Sequence, residues 1–299
     1  MTDLPISDRM KKYEKQFEDI IPHNMFIIVR CDGHKFSKFT KGFIKPFDKV
    51  LSDAMINTTT ALVEHFGAVT GYVQSDEITL VFPPQFKELE VESLIDNVAG
   101  LELNETKVIN NQIYGGRTQK IASLIAGYTT LMFNNYLEKS IKDNLADDEE
   151  FFSNSFRPTT EEVEFRKQKT VYLNKIGKAW FDARVFGVPS EDEAFNVIMW
   201  RTRDAEKNSR SMFAQSYCSH NSLLNKNGVE QVEFCKETTG KDWETIEDKF
   251  KFGILVKRES YTKITENGPV ERTKIVTWSE ALTSFSIEKV DMIVRKLKN

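Results

Sequence analysis

Two short stretches place acidic residues against β-rich apolar sequence. The first ends in Asp32-Gly33, and the second carries Ser75-Asp76-Glu77 between apolar runs. A strand ending in Asp-Gly places a carboxylate where the chain turns, and apolar runs on both sides of the second set fit a hairpin with its acids at the tip. If the strands are neighbours, Asp32 and Asp76 meet at one edge of a sheet and could hold Mg²⁺, with waters and substrate phosphates as further ligands. The alternative is two ordinary turns; the pair together favours the metal site.

A basic and aromatic stretch, residues 34–46, follows Asp32-Gly33. Its backbone amides, with Lys35, Lys41 or Lys45, could cradle a triphosphate. The alternative is a solvated loop with buried phenylalanines. A pair of Mg²⁺ ions beside such a cradle can activate an attacking hydroxyl and neutralise a leaving pyrophosphate.

Bulk composition limits the possible partners and compartments. The chain has 299 residues and a net charge of −4, so any nucleic acid must be held by local basic patches. Its three cysteines show no metal-binding spacing and are expected to be reduced thiols. Without an apolar run long enough to span a membrane, or a signal peptide, we expect a cytoplasmic protein with no membrane partner.

The order of elements predicts the fold class. A strand over 25–31 is followed by a helix from an Asp48 cap to about Phe66 and a hairpin over 68–82. A helix over 117–136 and a strand over 180–188 complete a strand-helix-strand-strand-helix-strand order. This order is typical of the ferredoxin-like split βαβ pattern, within the α+β class.

The remaining segments are interpreted as additions to this unit. Residues 1–190 would form a palm-like catalytic domain with insertions at about 85–115 and 139–165. Residues 191–299 would form a helical and β-hairpin extension packed on the palm. Two late strands, 252–258 and 274–278, would flank a turn at Asn267-Gly268.

Three groups of cations could meet anionic ligands. Arg117 and Lys120 fall in the first turn of a predicted helix, where cations oppose the helix dipole and an anion nearby would compensate. The segment 166–178 is locally basic and could meet an RNA backbone or be a solvated face. A third cluster could form a weak RNA-binding face or a salt-bridged helix with Asp204 and Glu206; it comprises Arg201, Arg203, Lys207 and Arg210.

Several ordered motifs resemble those of the tRNA-His guanylyltransferase superfamily, which includes guanylyltransferase-like 3′-to-5′ polymerases. Residues 30–36 resemble its R-x-D-G-x-x-F, residues 43–48 its F-x-K-P-x-D, and residues 72–77 its Y-x-Q-S-D-E. Residues 181–185 resemble its F-D-x-R-V and Trp200-Arg201 its W-R, while 251–253 match its late K-K-G weakly. The motifs run from about residue 25 to 258, and their order and combination are specific.

The resemblance implies a polymerase-like palm that binds two Mg²⁺ ions through Asp32, Asp76 and the Gly33 carbonyl. Glu77 would be a third catalytic residue supporting the site. The implied nucleotide-binding residues are His34, Lys35, Phe36, Ser37, Lys45, Asp48, Ser75, Arg117 and Lys120. Family members activate an RNA 5′-monophosphate with ATP or GTP, and the 3′-hydroxyl of an incoming nucleotide then attacks that 5′ end. The resemblance also implies tRNA or a similar RNA as partner and a homodimer or homotetramer.

One departure favours a branch of the superfamily. The strict guanylyltransferases carry H-I-N-N-L-Y-N shortly after W-R, whereas here the stretch is Glu206–Met212 and only Asn208 matches. Asn208 joins the weak RNA-binding set. The departure favours the guanylyltransferase-like branch, which resembles a template-directed repair enzyme for truncated 5′ ends.

Two alternatives remain, one within the enzymes and one in a different functional class. A palm-type nucleotide cyclase also uses acids at a hairpin, but would turn over nucleotide without RNA. A non-catalytic nucleotide- or RNA-binding module could keep the fold, although it has no physical need for clustered acids such as Asp32 and Asp76.

Overall fold

The computed structural model describes residues 5–89, 107–110, 112–152, 160–266, 268–282 and 284–298. Its strands are β1 (Phe26–Gly33), β2 (Thr70–Gln74), β3 (Glu77–Phe82), β4 (Phe86–Leu89), β5 (Lys107–Asn110), β6 (Phe181–Val188), β7 (Ile254–Thr265), β8 (Gly268–Trp278) and β9 (Leu297–Lys298). Its helices are α1 (Ile6–Glu14), α2 (Phe36–Phe39), α3 (Lys49–Phe66), α4 (Thr118–Phe152), α5 (Thr160–Leu173), α6 (Glu191–Tyr217), α7 (His220–Leu223), α8 (Gly228–Thr239), α9 (Asp248–Phe252) and α10 (Ile287–Val294).

The main sheet has the order β6-β1-β3-β2-β7-β8, with β9 beside β7. All of its pairs are antiparallel except β7 with β9. The strands β6-β1-β3-β2, joined through α3 and α4, have the order expected of a ferredoxin-like unit. The ferredoxin-like α+β prediction is therefore confirmed.

Helix α3 shows why the local sequence folds as it does. Asp48 caps its first turn by accepting a hydrogen bond from the Leu51 N–H at 2.9 Å. Gly67 ends it with a φ of 74°, a left-handed conformation that favours glycine. The helix predicted from Asp48 to about Phe66 is confirmed.

The sheet separates two apolar layers. Ile27, Val29 and Cys31 point toward α3 and α4, whereas Phe26 and Ile28 point toward α6 and α10. This alternation follows from the two-residue period of a strand. Because both faces of β1, β2 and β3 are covered, a ligand reaches these three strands at their ends.

The predicted insertions are partly within the described residues. Residues 86–89 and 107–110 pair as a β4-β5 hairpin, and residues 90–106 lie outside the described residues. The helix predicted over 117–136 continues to Phe152, so the first half of the second insertion extends α4. Residues 160–165 begin α5, and 153–159 also lie outside the described residues.

The C-terminal part continues the same sheet. Strand β7 pairs with β2 and forms a long hairpin with β8, so both late strands are confirmed and extend further than predicted. A boundary at residue 190 stays a prediction. No helix among the described residues is both long and apolar enough to span a bilayer. The three cysteines are free thiols, as expected.

A buried lysine ties α10 to the sheet. Lys257 on β7 is 0% exposed. Its Nζ donates to the Thr70 hydroxyl at 2.6 Å, and to the carbonyl oxygens of Ile293 at 3.1 Å and Arg295 at 2.7 Å. Burial lowers the pKa of this amine to about 7. The two carbonyls lie at the C-terminal end of α10, where a cation is favourable.

Candidate active site

The β2-β3 hairpin places Asp76 at one end of the sheet. Gln74 pairs with Glu77, so the connecting turn is Ser75-Asp76. Ser75 has a φ of 49°, which is uncommon for a residue with a side chain. Its hydroxyl donates to Asp76 Oδ1 at 3.1 Å. The turn therefore holds the Asp76 carboxylate through its own preceding residue.

Strand β1 brings Asp32 to the same end. Asp32 lies opposite Glu77 in the β1-β3 ladder, and the Gly33 N–H donates to the Asp76 carbonyl oxygen at 3.1 Å. The structure thus places Asp32, Gly33 and Asp76 side by side, as the strand pattern predicted. A Cβ on Gly33 would lie 2.2 Å from Phe36 Cδ2, so only glycine fits there without movement of that ring.

Asp32 and Asp76 line a cavity of about 640 Å³ at this edge of the sheet. One wall is the segment from Lys35 to Asp48 with the first turns of α3, and the other comes from α6 and α9. The cavity has the volume of a small-molecule site. Its position at strand ends fits a ligand that reaches the two acids from solvent.

The acids lie in an environment that suits a cation. Burial raises the pKa of Asp76, and the charge of Asp32 raises it further. No cluster of three or more His, Cys, Asp or Glu side chains suited to a metal occurs among the described residues. Two carboxylates with backbone carbonyl, water and phosphate oxygens still form a donor set for Mg²⁺, which keeps several waters and binds through one or two carboxylates. The residues present therefore fit this ion.

Glu77 is bound to arginine beside this pair. Arg201 of α6 donates from Nε to Glu77 Oε1 at 2.5 Å and from Nη2 to Oε2 at 2.8 Å, and Arg30 Nε lies 3.8 Å from Oε2. Burial raises the pKa of Glu77, and the Arg201 charge acts against that rise. Both carboxylate oxygens are engaged, so this contact shows a structural link between β3 and α6 next to the acids.

The predicted nucleotide-binding residues of the first wall differ in their contacts. Lys35, Ser37 and Lys45 are exposed and line the cavity. Phe36 also lines it, although its ring is buried against three other phenylalanines: Phe39, Phe133 and Phe181. His34 is exposed, and its N–H donates to the Trp180 carbonyl oxygen at 2.8 Å.

Asp48 lines the cavity too, but its carboxylate is occupied. It caps α3, and Oδ2 accepts from the Ile44 N–H at 2.8 Å and from the Tyr172 hydroxyl at 2.6 Å. The side chain is buried, with 6% of the residue exposed. Asp48 therefore shapes the wall that carries Lys45.

Arg117 and Lys120 do not reach this cavity. Arg117 contacts Glu18 at 3.7 Å and the Tyr114 carbonyl oxygen at 3.2 Å, and Lys120 lies over the Tyr114 ring. Glu18, the partner of Arg117, precedes β1, and the length of β1 from Phe26 to Asp32 is about 20 Å at the rise of a β-strand. The structure does not bring the two cations to a nucleotide held by Asp32 and Asp76 of the same chain.

Two of the four cations of α6, Arg201 and Arg210, form the predicted salt bridges with Asp204 and Glu206. Arg201 is buried and pairs with Asp204 at 2.8 Å as well as with Glu77, so it is not an exposed RNA contact. Arg210 pairs with Glu206 at 2.6 Å and lies over the Trp243 ring. Arg203, Lys207 and Asn208 are exposed, and only Asn208 of these three lines the cavity.

Several cavity residues were not among the predicted site residues. They come from the end of α6, from α9 and from the strand start after it: Met212, Gln215, Ser216, Lys249, Phe250, Gly253 and Ile254. Gly253 has a φ of 74°, and a Cβ there would lie 2.5 Å from the Tyr72 hydroxyl oxygen. The weak motif match at 251–253 and the Glu206–Met212 stretch were the indications of this wall in the sequence.

Comparison with known proteins relates this geometry to a family. The tRNA-His guanylyltransferase (Thg1) family model matches residues 7–189. An uncharacterized protein of Acanthamoeba polyphaga mimivirus is 29% identical over 98% of this chain and 89% of its own. A probable tRNA(His) guanylyltransferase of Drosophila melanogaster is 42% identical over 24% of this chain and 27% of its own.

Solved structures agree. A bacterial tRNA(His) guanylyltransferase-like protein in complex with ATP matches with a TM-score of 0.62 and 28% identity, over 91% of each chain. A second structure of a bacterial tRNA(His) guanylyltransferase-like protein, in complex with GTP, matches with a TM-score of 0.58 and 28% identity over 90% of each chain. The Saccharomyces cerevisiae tRNA(His) guanylyltransferase, at 19% identity and a TM-score of 0.55, covers 87% of this chain and 94% of its own and shares the fold. The chain is a nucleotidyltransferase and belongs to the tRNA-His guanylyltransferase family.

Proposed function

We propose that this nucleotidyltransferase adds nucleotides to the 5′ end of tRNA or a similar RNA, growing the chain in the 3′-to-5′ direction with Mg²⁺. The observation that carries the proposal is the pair Asp32 and Asp76 at the edge of a cavity of nucleotide size, facing the exposed Lys35 and Lys45. The acids suit cations, and the lysines suit phosphates.

The proposed reaction has two transfers that balance. An oxygen of the RNA 5′-monophosphate attacks the α-phosphorus of ATP or GTP, and pyrophosphate leaves with the bonding electrons. The 3′-hydroxyl of an incoming nucleoside triphosphate then loses its proton and attacks the 5′ phosphorus of the activated RNA. The nucleoside monophosphate leaves, and a new phosphodiester joins the added nucleotide to the RNA.

Asp32 and Asp76, with the Gly33 carbonyl, would hold two Mg²⁺ ions. Such ions supply activation of the hydroxyl and neutralisation of the leaving phosphates. Lys35 and Lys45 would bind the phosphates of the nucleotide, while Ser75 and Asp48 hold the turn and the wall in place. The Arg201 pair keeps Glu77 neutralised, so the excess negative charge at this edge belongs to Asp32 and Asp76.

The proposed substrate is a truncated 5′ end that is repaired against a template. Asn208 and Met212, from the stretch that departs from the strict guanylyltransferases, line the cavity. A changed wall at this position supports a nucleotide choice different from the addition of one guanosine. ATP and GTP are the expected activating nucleotides, and a homodimer or homotetramer in the cytoplasm remains the expectation.

The test is an extension assay. The protein is mixed with Mg²⁺, ATP, all four nucleoside triphosphates and a 5′-monophosphorylated tRNA that lacks its first nucleotide. We expect lengthening at the 5′ end that stops when the acceptor stem is fully paired. Asp76→Asn should lower the rate at least about 100-fold, because it removes one of two charged ligands.

Asp192→Asn is the matched control, since Asp192 is exposed in the first turn of α6 and does not line the cavity. It should extend the RNA at the wild-type rate. Full activity of Asp76→Asn would overturn the metal site. Conversion of nucleotide without RNA would instead indicate a cyclase.

A further inference from the structure

Two segments beside the cavity concentrate positive charge in an acidic chain. Residues 33–47 contain four cations, Lys35, Lys38, Lys41 and Lys45, and no Asp or Glu. Residues 165–180 contain five, Arg166, Lys167, Lys169, Lys175 and Lys178, and again no Asp or Glu. Together they carry nine of the 41 lysines and arginines in a chain whose net charge is −4.

The fold packs these segments against each other. Gln168 Nε2 donates to the Gly42 carbonyl oxygen at 3.0 Å, and Lys175 Nζ donates to the Lys38 carbonyl oxygen at 3.4 Å. The rings of Phe43 and Tyr172 lie 4.9 Å apart between them. We call the resulting surface the basic surface and define it by residues 33–47 and 165–180.

Three cations of the basic surface, Lys38, Lys175 and Lys178, lack a carboxylate partner among the described residues. Many other cations of the chain do have such a partner, including Lys49, Arg201 and Arg210. Unpaired like charges held close together are unfavourable unless a polyanion neutralises them.

An exposed tryptophan lies where the basic surface meets the acids. Trp180 is 68% exposed and directly precedes β6. Its carbonyl oxygen accepts from the His34 N–H, two residues after Asp32. A large exposed ring beside a row of cations can stack on an unpaired base while the cations hold phosphates.

We propose that the basic surface binds the phosphate backbone of the RNA substrate next to its 5′ end, with Trp180 stacking on a terminal base. This inference rests on the proposed function for the identity of the polyanion. Lys35 and Lys45 belong to both the basic surface and the cavity wall, so the RNA path leads to Asp32 and Asp76. RNA is favoured over an isolated nucleotide because the cations extend along α5, well beyond the cavity.

The experiment measures RNA affinity against salt. The probe is a fluorescent RNA hairpin with a 5′-monophosphate, and the variant is Lys38→Gln with Lys175→Gln and Lys178→Gln. The slope of log K against log salt is negative, and each lost phosphate contact reduces its magnitude by about 0.7–0.9. We therefore expect the slope of the variant to be shallower by about 2 and its affinity to fall at least about tenfold at low salt. Trp180→Ala should weaken binding about tenfold with an unchanged slope.

The matched control removes the same charge elsewhere: Lys11→Gln with Lys12→Gln and Lys263→Gln, three exposed lysines outside the basic surface. It should bind the hairpin like the wild type, and ATP affinity should be equal in all variants. Equal affinity and slope for the basic-surface variant and the wild type would overturn the inference. A loss of RNA affinity in a chain that never extends RNA would leave the surface standing and contradict the proposed function, so the two failures are distinguishable.

Discussion

Arg201 and Glu77 form a two-point ion pair that joins α6 to β3 directly beside Asp32. Arg201 also holds Asp204, and its side chain is 8% exposed. We expect Arg201→Ala to lower the free energy of unfolding by about 3–5 kcal/mol, because it leaves Glu77 charged and buried without its main partner. Chemical denaturation at neutral pH measures this.

Arg201→Met combined with Glu77→Leu is the informative control. Replacing both charges with apolar groups of similar size should restore most of the lost stability. If the double variant is as unstable as Arg201→Ala, the shape of the side chains matters more than the charge.

Asp76→Asn should stabilise the metal-free protein while it inactivates the enzyme. The folded chain raises the pKa of Asp76, so the charged form costs stability at every pH above that raised pKa. This cost disappears as the pH falls below the pKa that Asp76 has in the unfolded chain. We therefore expect a higher Tm for Asp76→Asn than for the wild type in EDTA at pH 7, and a smaller difference near pH 4.

Mg²⁺ should reverse that order. An ion at the acids stabilises the wild type by mass action and has little effect on Asp76→Asn. Thermal melts with and without Mg²⁺ test this directly. A wild-type Tm that does not respond to Mg²⁺, with nucleotide present or absent, would contradict binding at these carboxylates.

Gly33→Ala should damage the site through Phe36. The added methyl group would lie 2.2 Å from Phe36 Cδ2, and that ring is fixed by three phenylalanine neighbours. We expect a loss of about 1–3 kcal/mol in stability, as for overpacked cores. Gly33→Ala with Phe36→Leu should be less unstable than the sum of the two single changes, which a double-mutant cycle reveals.

Because of Lys257, we expect the free energy of unfolding to rise with pH. Its folded pKa is about 7, whereas an unfolded lysine has a pKa of about 10.4. Between these values the unfolded chain binds more protons, so the free energy of unfolding rises with pH. The full pKa shift corresponds to a stability change of about 4–5 kcal/mol, at about 1.4 kcal/mol per pH unit. The three acceptors around Nζ favour the ammonium, so they make this change smaller.

The measurement compares Lys257→Met with the wild type by urea denaturation at pH 7 and pH 9.5. The wild type should gain stability relative to the variant over this range. Parallel curves would show that the amine keeps its proton in the folded chain throughout.

The sequence was sufficient for the palm because its signals are local. Apolar alternation marks β1, β2 and β3, Asp48 marks the start of α3, and the position of acids at strand ends follows from these elements. The ion-pair partner of Glu77 was not predictable in this way. Arg201 is 124 positions away from Glu77, and a pair of that kind depends on how α6 crosses the sheet.

Arg117 and Lys120 illustrate a different limit. The charge of one helix turn indicated only an anion near them, and the family resemblance implied that this anion is the nucleotide. The predicted topology indicates where these two cations lie, because a helix that follows β3 starts at the end of the sheet where β3 finishes. Since Asp76 precedes β3, that helix start lies at the far end.

The pairing of β2 with β7 has a consequence for anyone who expresses only part of this chain. The family match stops at residue 189, before β7, and the order of the remaining strands would leave β2 outermost. Its residues Thr70–Val73 are buried, so truncation would uncover an apolar edge with unsatisfied backbone groups. Such an edge recruits strands from other molecules. A fragment ending at 189 is therefore expected to aggregate, even though it keeps Asp32, Asp76 and the cavity wall from Lys35 to Asp48.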